Sequence, residues 1–225
     1  MGEYGNLMAM RSKKQSMGDG AMRAFLARYA CPLSYHQVRA RFMGNIATPD
    51  MDVSPMQEIQ RIWNNDLPVF ESQSVTEEFL GVLMKGVWNA LSDHQNHTSP
   101  FELARVKTAP ASYEYLAWLG RIRHEEIEGF IDGLFAGQDE IDLPESAHKA
   151  VGVLGELRAL FAATEDLANS PPGPASVSSL EHTAKHLREL SRIAEHEINV
   201  IIQACKKARA QALETLSTGR PPILH

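Results

Sequence analysis

The sequence predicts an all-α fold: a multi-helix bundle built from helical hairpins, with one long helix at its C-terminal end. Three observations lead there. Apolar residues recur at three- and four-residue intervals in segment after segment, the spacing of a helix face. Helix starts are marked by Ser with Gln or Glu three residues on, at Ser34/Gln37, Ser54/Gln57 and Ser74/Glu77. Nowhere does strict two-residue alternation last long enough to mark a strand.

The elements follow in order. Residues 1–19, rich in Met, Gly and Ser and without periodicity, read as a disordered N-terminal tail. From Gly20, the positions Met22, Phe25, Leu26 and Tyr29 fit a short helix that stops before Pro32. Ser34 opens a helix to about Ala47, and Pro49 ends it. Ser54 with Pro55 is an N-cap followed by proline at the first helical position, ahead of Ile59, Ile62 and Trp63. Residues 64–71 form a loop. The Ser74/Glu77 box then starts a helix to about His94 that is apolar nearly all round, as a central helix is. Gly81 and Gly86 each cost that helix about 1 kcal/mol against alanine, which predicts close approach of a neighbour.

Residues 98–112, with Pro100 and Pro110, read as a connector. A long helix runs from about Ser112 to Ala136, with Leu116, Leu119, Ile122, Ile127, Phe130, Ile131 and Leu134 inward and Gly137 at its C-terminal cap. Pro144 starts another helix to about Ala168, and NSPPGPA at 169–175 is a linker. After it one helical pattern spans about 176–216, with Leu180, Ala184, Leu187, Ala194, Ile198, Ile201, Cys205, Ala208 and Ala212 near heptad spacing. At 1.5 Å per residue that helix is roughly 60 Å long, which predicts a break or an oligomer contact. The organisation is thus a tail at 1–19, a helical domain at 20–168, a linker at 169–175, and a long helix and tail at 176–225.

Composition narrows the function classes. A chain of 225 residues with 44% apolar side chains buries a real core. The net charge of −6 is uneven: residues 50–150 hold seven basic against eighteen acidic side chains, whereas residues 1–49 hold seven against two. The acidic centre repels nucleic acid, so a nucleic-acid role is disfavoured and would have to use the ends. Cys31 and Cys205 stand alone, which excludes a disulfide framework or zinc knuckle and reads as packing. The chain lacks both a signal-peptide core and an apolar run of about 18 residues, so the expectation is cytoplasmic, with no membrane span.

The block from Phe42 to Asp93 carries a family pattern: Phe42, Ser54-Pro55, Ile62-Trp63, Pro68-Val69-Phe70-Glu71-Ser72 and Trp88-Asn89, echoed at Gly129-Phe130 to Gly133. These residues resemble the uncharacterised bacterial YecA/YgfB-like family over roughly 39–167. The chain departs from that pattern at Asn64, where members have Gly, and at Arg41 before Phe42. It also has the long helix in place of a Cys-rich metal-binding tail. The resemblance implies an all-helical, often dimeric protein and transfers no catalytic residue.

Site candidates are few. His182 and His186 lie one helical turn apart, with Glu189 a further turn on, so the three can face one side and grip a metal; the alternative is a solvated face. Glu145 and His148 form one Glu-x-x-His pair, but a di-iron bundle needs a second and none is present. Glu125 and Glu128, beside His124 and Glu126, suit acid/base chemistry only if buried. Lys206, Lys207, Arg209 and Arg220 form a small basic patch, and Trp63, Trp88 and Trp118 read as core. The favoured reading is a non-enzymatic interaction or regulatory protein without cofactor, a homodimer through its C-terminal helix, with a further protein partner in view. The alternatives are a metal-binding bundle using His182, His186 and Glu189, and then an RNA- or ribosome-associated factor.

Overall fold

The computed structural model describes residues 18–171, 173 and 175–218. The fold is all-helical, with no strand among those residues. The tail reading for residues 1–19 lies outside them up to residue 17, as does Arg220 of the basic patch. Helices α1 (Asp19–Arg28), α2 (Tyr35–Ala47) and α3 (Pro55–Ile62) stand where the caps and prolines place them. Ser54 and Gln57 make the full reciprocal capping box. Ser34 accepts the Gln37 amide, but the Gln37 side chain bonds Glu128 at 2.9 Å instead of closing a box.

Helix α4 (Gln73–Gly81) is capped by Ser72, not Ser74, and continues into a π-helix, Val82–Trp88, and α5 (Asn89–Ser92). Among the described residues, a Cβ at Gly81 or Gly86 would meet nothing within 4 Å, so close helix approach is not their role. The close approaches lie elsewhere. Helix α6 (Tyr113–Phe135) packs on α2, and a Cβ at Gly133 would fall 1.9 Å from the Arg41 carbonyl oxygen. At Gly44 it would fall 2.0 Å from the Phe130 carbonyl, and at Gly129 2.5 Å from that of Gln37. Only a missing side chain lets the two backbones touch. The pairs Ser34–Glu125, Gln37–Glu128 and Arg41–Asp132 climb both helices together, so α2 and α6 run parallel.

Helix α7 (Glu145–Asn169) packs on α6, where Gly120 meets the Phe161 backbone, and α8 (Val177–Thr218) packs on α7, α6 and α2. Its 42 residues form one unbroken helix. Ala184, Leu187, Ala194, Ile198, Ile201, Ile202 and Cys205 join the same core as α1 to α7. The apolar stripe expected to face a second copy is therefore covered within the chain. Near the C-terminal end of α8, Arg209 donates to the Ile46 and Thr48 carbonyls at the C-terminal end of α2. Beyond it Leu213 and Leu216 are exposed. A second exposed apolar row lies on α7: Val153, Leu160 and Leu167, seven residues apart.

Candidate functional site

Residues 100–112 have no regular structure, yet part of this segment is held more tightly than a connector requires. Its prolines and the exposed turn at 96–99 keep it out of both neighbouring helices. Phe101 is fully buried and Leu103 nearly so, while Glu102 and Arg105 point outward. That alternation is the signature of an extended strap lying on a surface.

The strap runs antiparallel along α8, whose side chains read its main chain. Asn199 Oδ1 accepts the Phe101 N–H at 2.9 Å and Asn199 Nδ2 donates to the Phe101 carbonyl at 2.8 Å. Glu195 accepts the Leu103 N–H at 2.8 Å. One turn further along α8, Gln203 and Lys206 donate to the Gln95 carbonyl at 3.2 and 2.9 Å. Glu195, Asn199, Gln203, Lys206 and Arg209 thus form one polar row along α8, beside the core-facing Ile198, Ile202 and Cys205.

Helices α2 and α6 supply the other wall. Glu126, fully buried, accepts the Ala104 N–H at 2.7 Å and pairs with Arg123, which donates to the Ala104 carbonyl at 2.9 Å and to Ser191 Oγ at 3.1 Å. Arg39 donates to the Glu102 carbonyl at 2.8 Å, and its guanidinium lies 4.4 Å from the centre of the Phe101 ring. Burial pushes the Glu126 carboxyl up, while Arg123 and the Ala104 N–H pull it down. Open clefts flank the strap. One, of about 560 Å³, is lined by Tyr115, Arg188 and Arg192; the other, of about 340 Å³, by Arg23, His36 and the exposed Trp118.

The residues singled out from sequence lie elsewhere or do other work. His182, His186 and Glu189 are all exposed along α8, and among the described residues no group of three or more His, Cys, Asp or Glu is placed to hold a metal ion. Glu145 and His148 are exposed on α7. Glu125 and Glu128 tie α6 to α2 by accepting from Ser34 and Gln37. Cys205 is buried, its thiol pushed up to about 11 by burial, and Cys31 is half-buried with its thiol raised for the same reason. Lys206 and Arg209 of the basic patch bond within the bundle, while Lys207 is exposed. Trp63 is core and donates to the Tyr29 carbonyl at 2.8 Å, and Trp88 is half-buried on Phe42. Trp118 departs from expectation, exposed at 40% where a core position was read.

Sequence reasoning missed Arg123 and took Glu126 only as a neighbour of Glu125 and Glu128. Their signal was their register: Leu119, Arg123, Glu126 and Phe130 follow each other at helical spacing on the buried stripe of α6. Charged residues at core positions are retained when they satisfy something buried, here the strap. Among the described residues, no helix is long and apolar enough to cross a membrane. No family model, no curated protein and no solved structure matches this chain.

Proposed function

We propose that the protein is a non-enzymatic interaction protein of the YecA/YgfB-like type that acts in the cytoplasm as a homodimer. The observation that carries the reading is the exposed row Val153, Leu160 and Leu167 on α7. Apolar residues at seven-residue spacing on a solvent-facing helix suit a helix–helix interface. Two copies of this face crossing antiparallel at Leu160 set Val153 of each opposite Leu167 of the other, a self-complementary arrangement. Gly152 and Ala159 beside the row leave room for a second backbone. The use of the buried polar groups also favours binding over catalysis. Glu126, Arg123 and Ser191 are engaged in holding main chain and one another, so none stands ready to move a proton on a substrate.

Light scattering on the full chain tests the dimer. The expected mass at micromolar concentration is twice the 25.0 kDa of the chain, falling to one chain for Leu160→Glu. A wild-type monomer under those conditions overturns this interface. The exposed position of Leu160 makes its substitution nearly neutral for the fold itself, so the change in mass reads association alone.

A further inference from the structure

The strap is bound the way a foreign peptide is bound. Over four consecutive residues, the Phe101 N–H and carbonyl, the Glu102 carbonyl, the Leu103 N–H, and the Ala104 N–H and carbonyl each meet a side chain from α2, α6 or α8. Among the described residues, residues 100–111 make no main-chain to main-chain hydrogen bond. Ordinary loops satisfy such groups with water or with their own backbone. Here the framework commits buried and half-buried polar side chains to main-chain atoms, which every peptide has, and two apolar seats to side chains, which few peptides share. Main-chain hydrogen bonds for affinity and alternate pockets for specificity make up the recognition mode of extended peptides.

The seats define the ligand. The first takes a whole aromatic ring between the Arg39 guanidinium and the edge of His94, whose ring centre is 5.9 Å from that of Phe101. The second takes a leucine, and the next position is a half-buried alanine, while the residue between the seats points outward. The held residues are bracketed by exposed chain at 96–100 and 107–110, with Val106 half-buried against the core, and open clefts lie on both sides of residues 102–106. Release of the strap therefore disturbs the two seats, the Val106 contact and the side chains that hold its main chain.

We propose that the groove between α2, α6 and α8 is a receptor for an extended peptide of the pattern Phe-x-Leu-Ala carried by a partner protein, and that residues 99–106 are a resident stand-in that the partner segment displaces. The proposal rests on the reading of the chain as an interaction protein. It does not depend on the α7 interface. A tethered stand-in acts at an effective concentration on the order of millimolar, so the partner segment competes with it and binds the intact chain weakly until the strap is loosened. Glu195 and Asn199 then read whichever main chain lies on them.

The test uses a fluorescein-labelled synthetic peptide of residues 99–106, SPFELARV, and a scrambled control, titrated by anisotropy into the full chain and into its Phe101→Ala/Leu103→Ala variant. The peptide is expected to bind the variant about tenfold or more tightly than wild type, as competition with a tethered strap requires. Asn199→Ala in the variant background is expected to cost at least about tenfold, the loss of two main-chain hydrogen bonds. A variant with wild-type helical circular dichroism that binds the peptide no better than the scrambled control overturns the proposal.

Should the variant not fold, hydrogen exchange on the wild-type chain decides the matter. Amides of Phe101, Leu103 and Ala104 are expected to exchange ahead of the α6 and α8 core. Exchange of those amides only together with the core overturns the proposal. Light scattering on the same samples separates the readings. A failed titration on a protein that is still dimeric removes the groove alone, and a monomer that binds peptide removes the α7 interface alone.

Discussion

Among the described residues, the buried Tyr29 hydroxyl finds no hydrogen-bond partner, in a cluster with Phe25, Phe70 and Phe79. Its ring contributes packing while its oxygen contributes only desolvation. Tyr29→Phe is therefore expected to keep or raise stability, by up to about 1 kcal/mol, in urea melts. A loss of more than that amount would show that the hydroxyl is satisfied in solution. His36 behaves differently. It accepts a hydrogen bond from Arg23 at 2.7 Å, and burial, then the Arg23 charge, lowers its pKa from 6.5 to about 4. Between those two values the unfolded chain binds a proton that the folded chain refuses. The contribution of His36 is thus fully present above pH 6.5 and is lost as pH falls toward 4. His36→Gln is expected to flatten the decline in urea midpoint between pH 6.5 and 4.5 relative to wild type. An unchanged slope would place the proton elsewhere.

At the scale of elements, the same residue type plays opposite parts. Gly133 sits where a Cβ would lie 1.9 Å from the backbone of α2, so Gly133→Ala must push α2 and α6 apart. The expected loss is about 2–4 kcal/mol, at or above the usual range for overpacking. Gly155, mid-helix on α7 away from the Val153–Leu160–Leu167 row and with nothing within 4 Å among the described residues, gains helix propensity from the same change, up to about 1 kcal/mol. Thermal melts of the two variants should move in opposite directions, and a common direction would refute the assigned crossing. The contrast also shows what the sequence disclosed. Caps and helix starts were legible because a Ser hydroxyl and a backbone N–H three residues on are local partners, as at Ser34, Ser54 and Ser112. The glycines were misassigned, Gly81 and Gly86 for Gly129 and Gly133, because a crossing point depends on the partner helix. The polar row on α8 stayed hidden for a related reason. Glu195, Asn199 and Gln203 look like any solvated face until the strap that covers them is placed.

For the whole molecule, the buried Arg123–Glu126 pair is a junction where α6, α8, the strap and α2 come together. It ties α6 to α8 through Ser191, to the strap through both polar groups of Ala104, and lies within 3.9 Å of Arg39 on α2. A pair so placed adds little net stability against an apolar substitute of the same shape, because both ions give up water. Breaking it is another matter. Glu126→Leu leaves the Arg123 guanidinium in the core and the Ala104 N–H without an acceptor, with an expected loss of about 3–5 kcal/mol. Arg123→Met strands the Glu126 carboxylate at similar cost, which protonation partly relieves because burial already favours the neutral acid. The double variant is expected to recover at least about 2 kcal/mol over the sum of the singles, since each change removes the charge that the other leaves unpaired. A double-mutant cycle from urea unfolding measures that coupling, and strict additivity would mean that the two side chains do not sense each other. The cycle has a second readout in the strap. Both singles and the double variant lose a hold on Ala104, so hydrogen exchange at Ala104 should quicken in all three even where the double regains stability. Stability and strap retention are thereby separable: the first follows the balance of buried charge, the second the presence of groups that bind main chain.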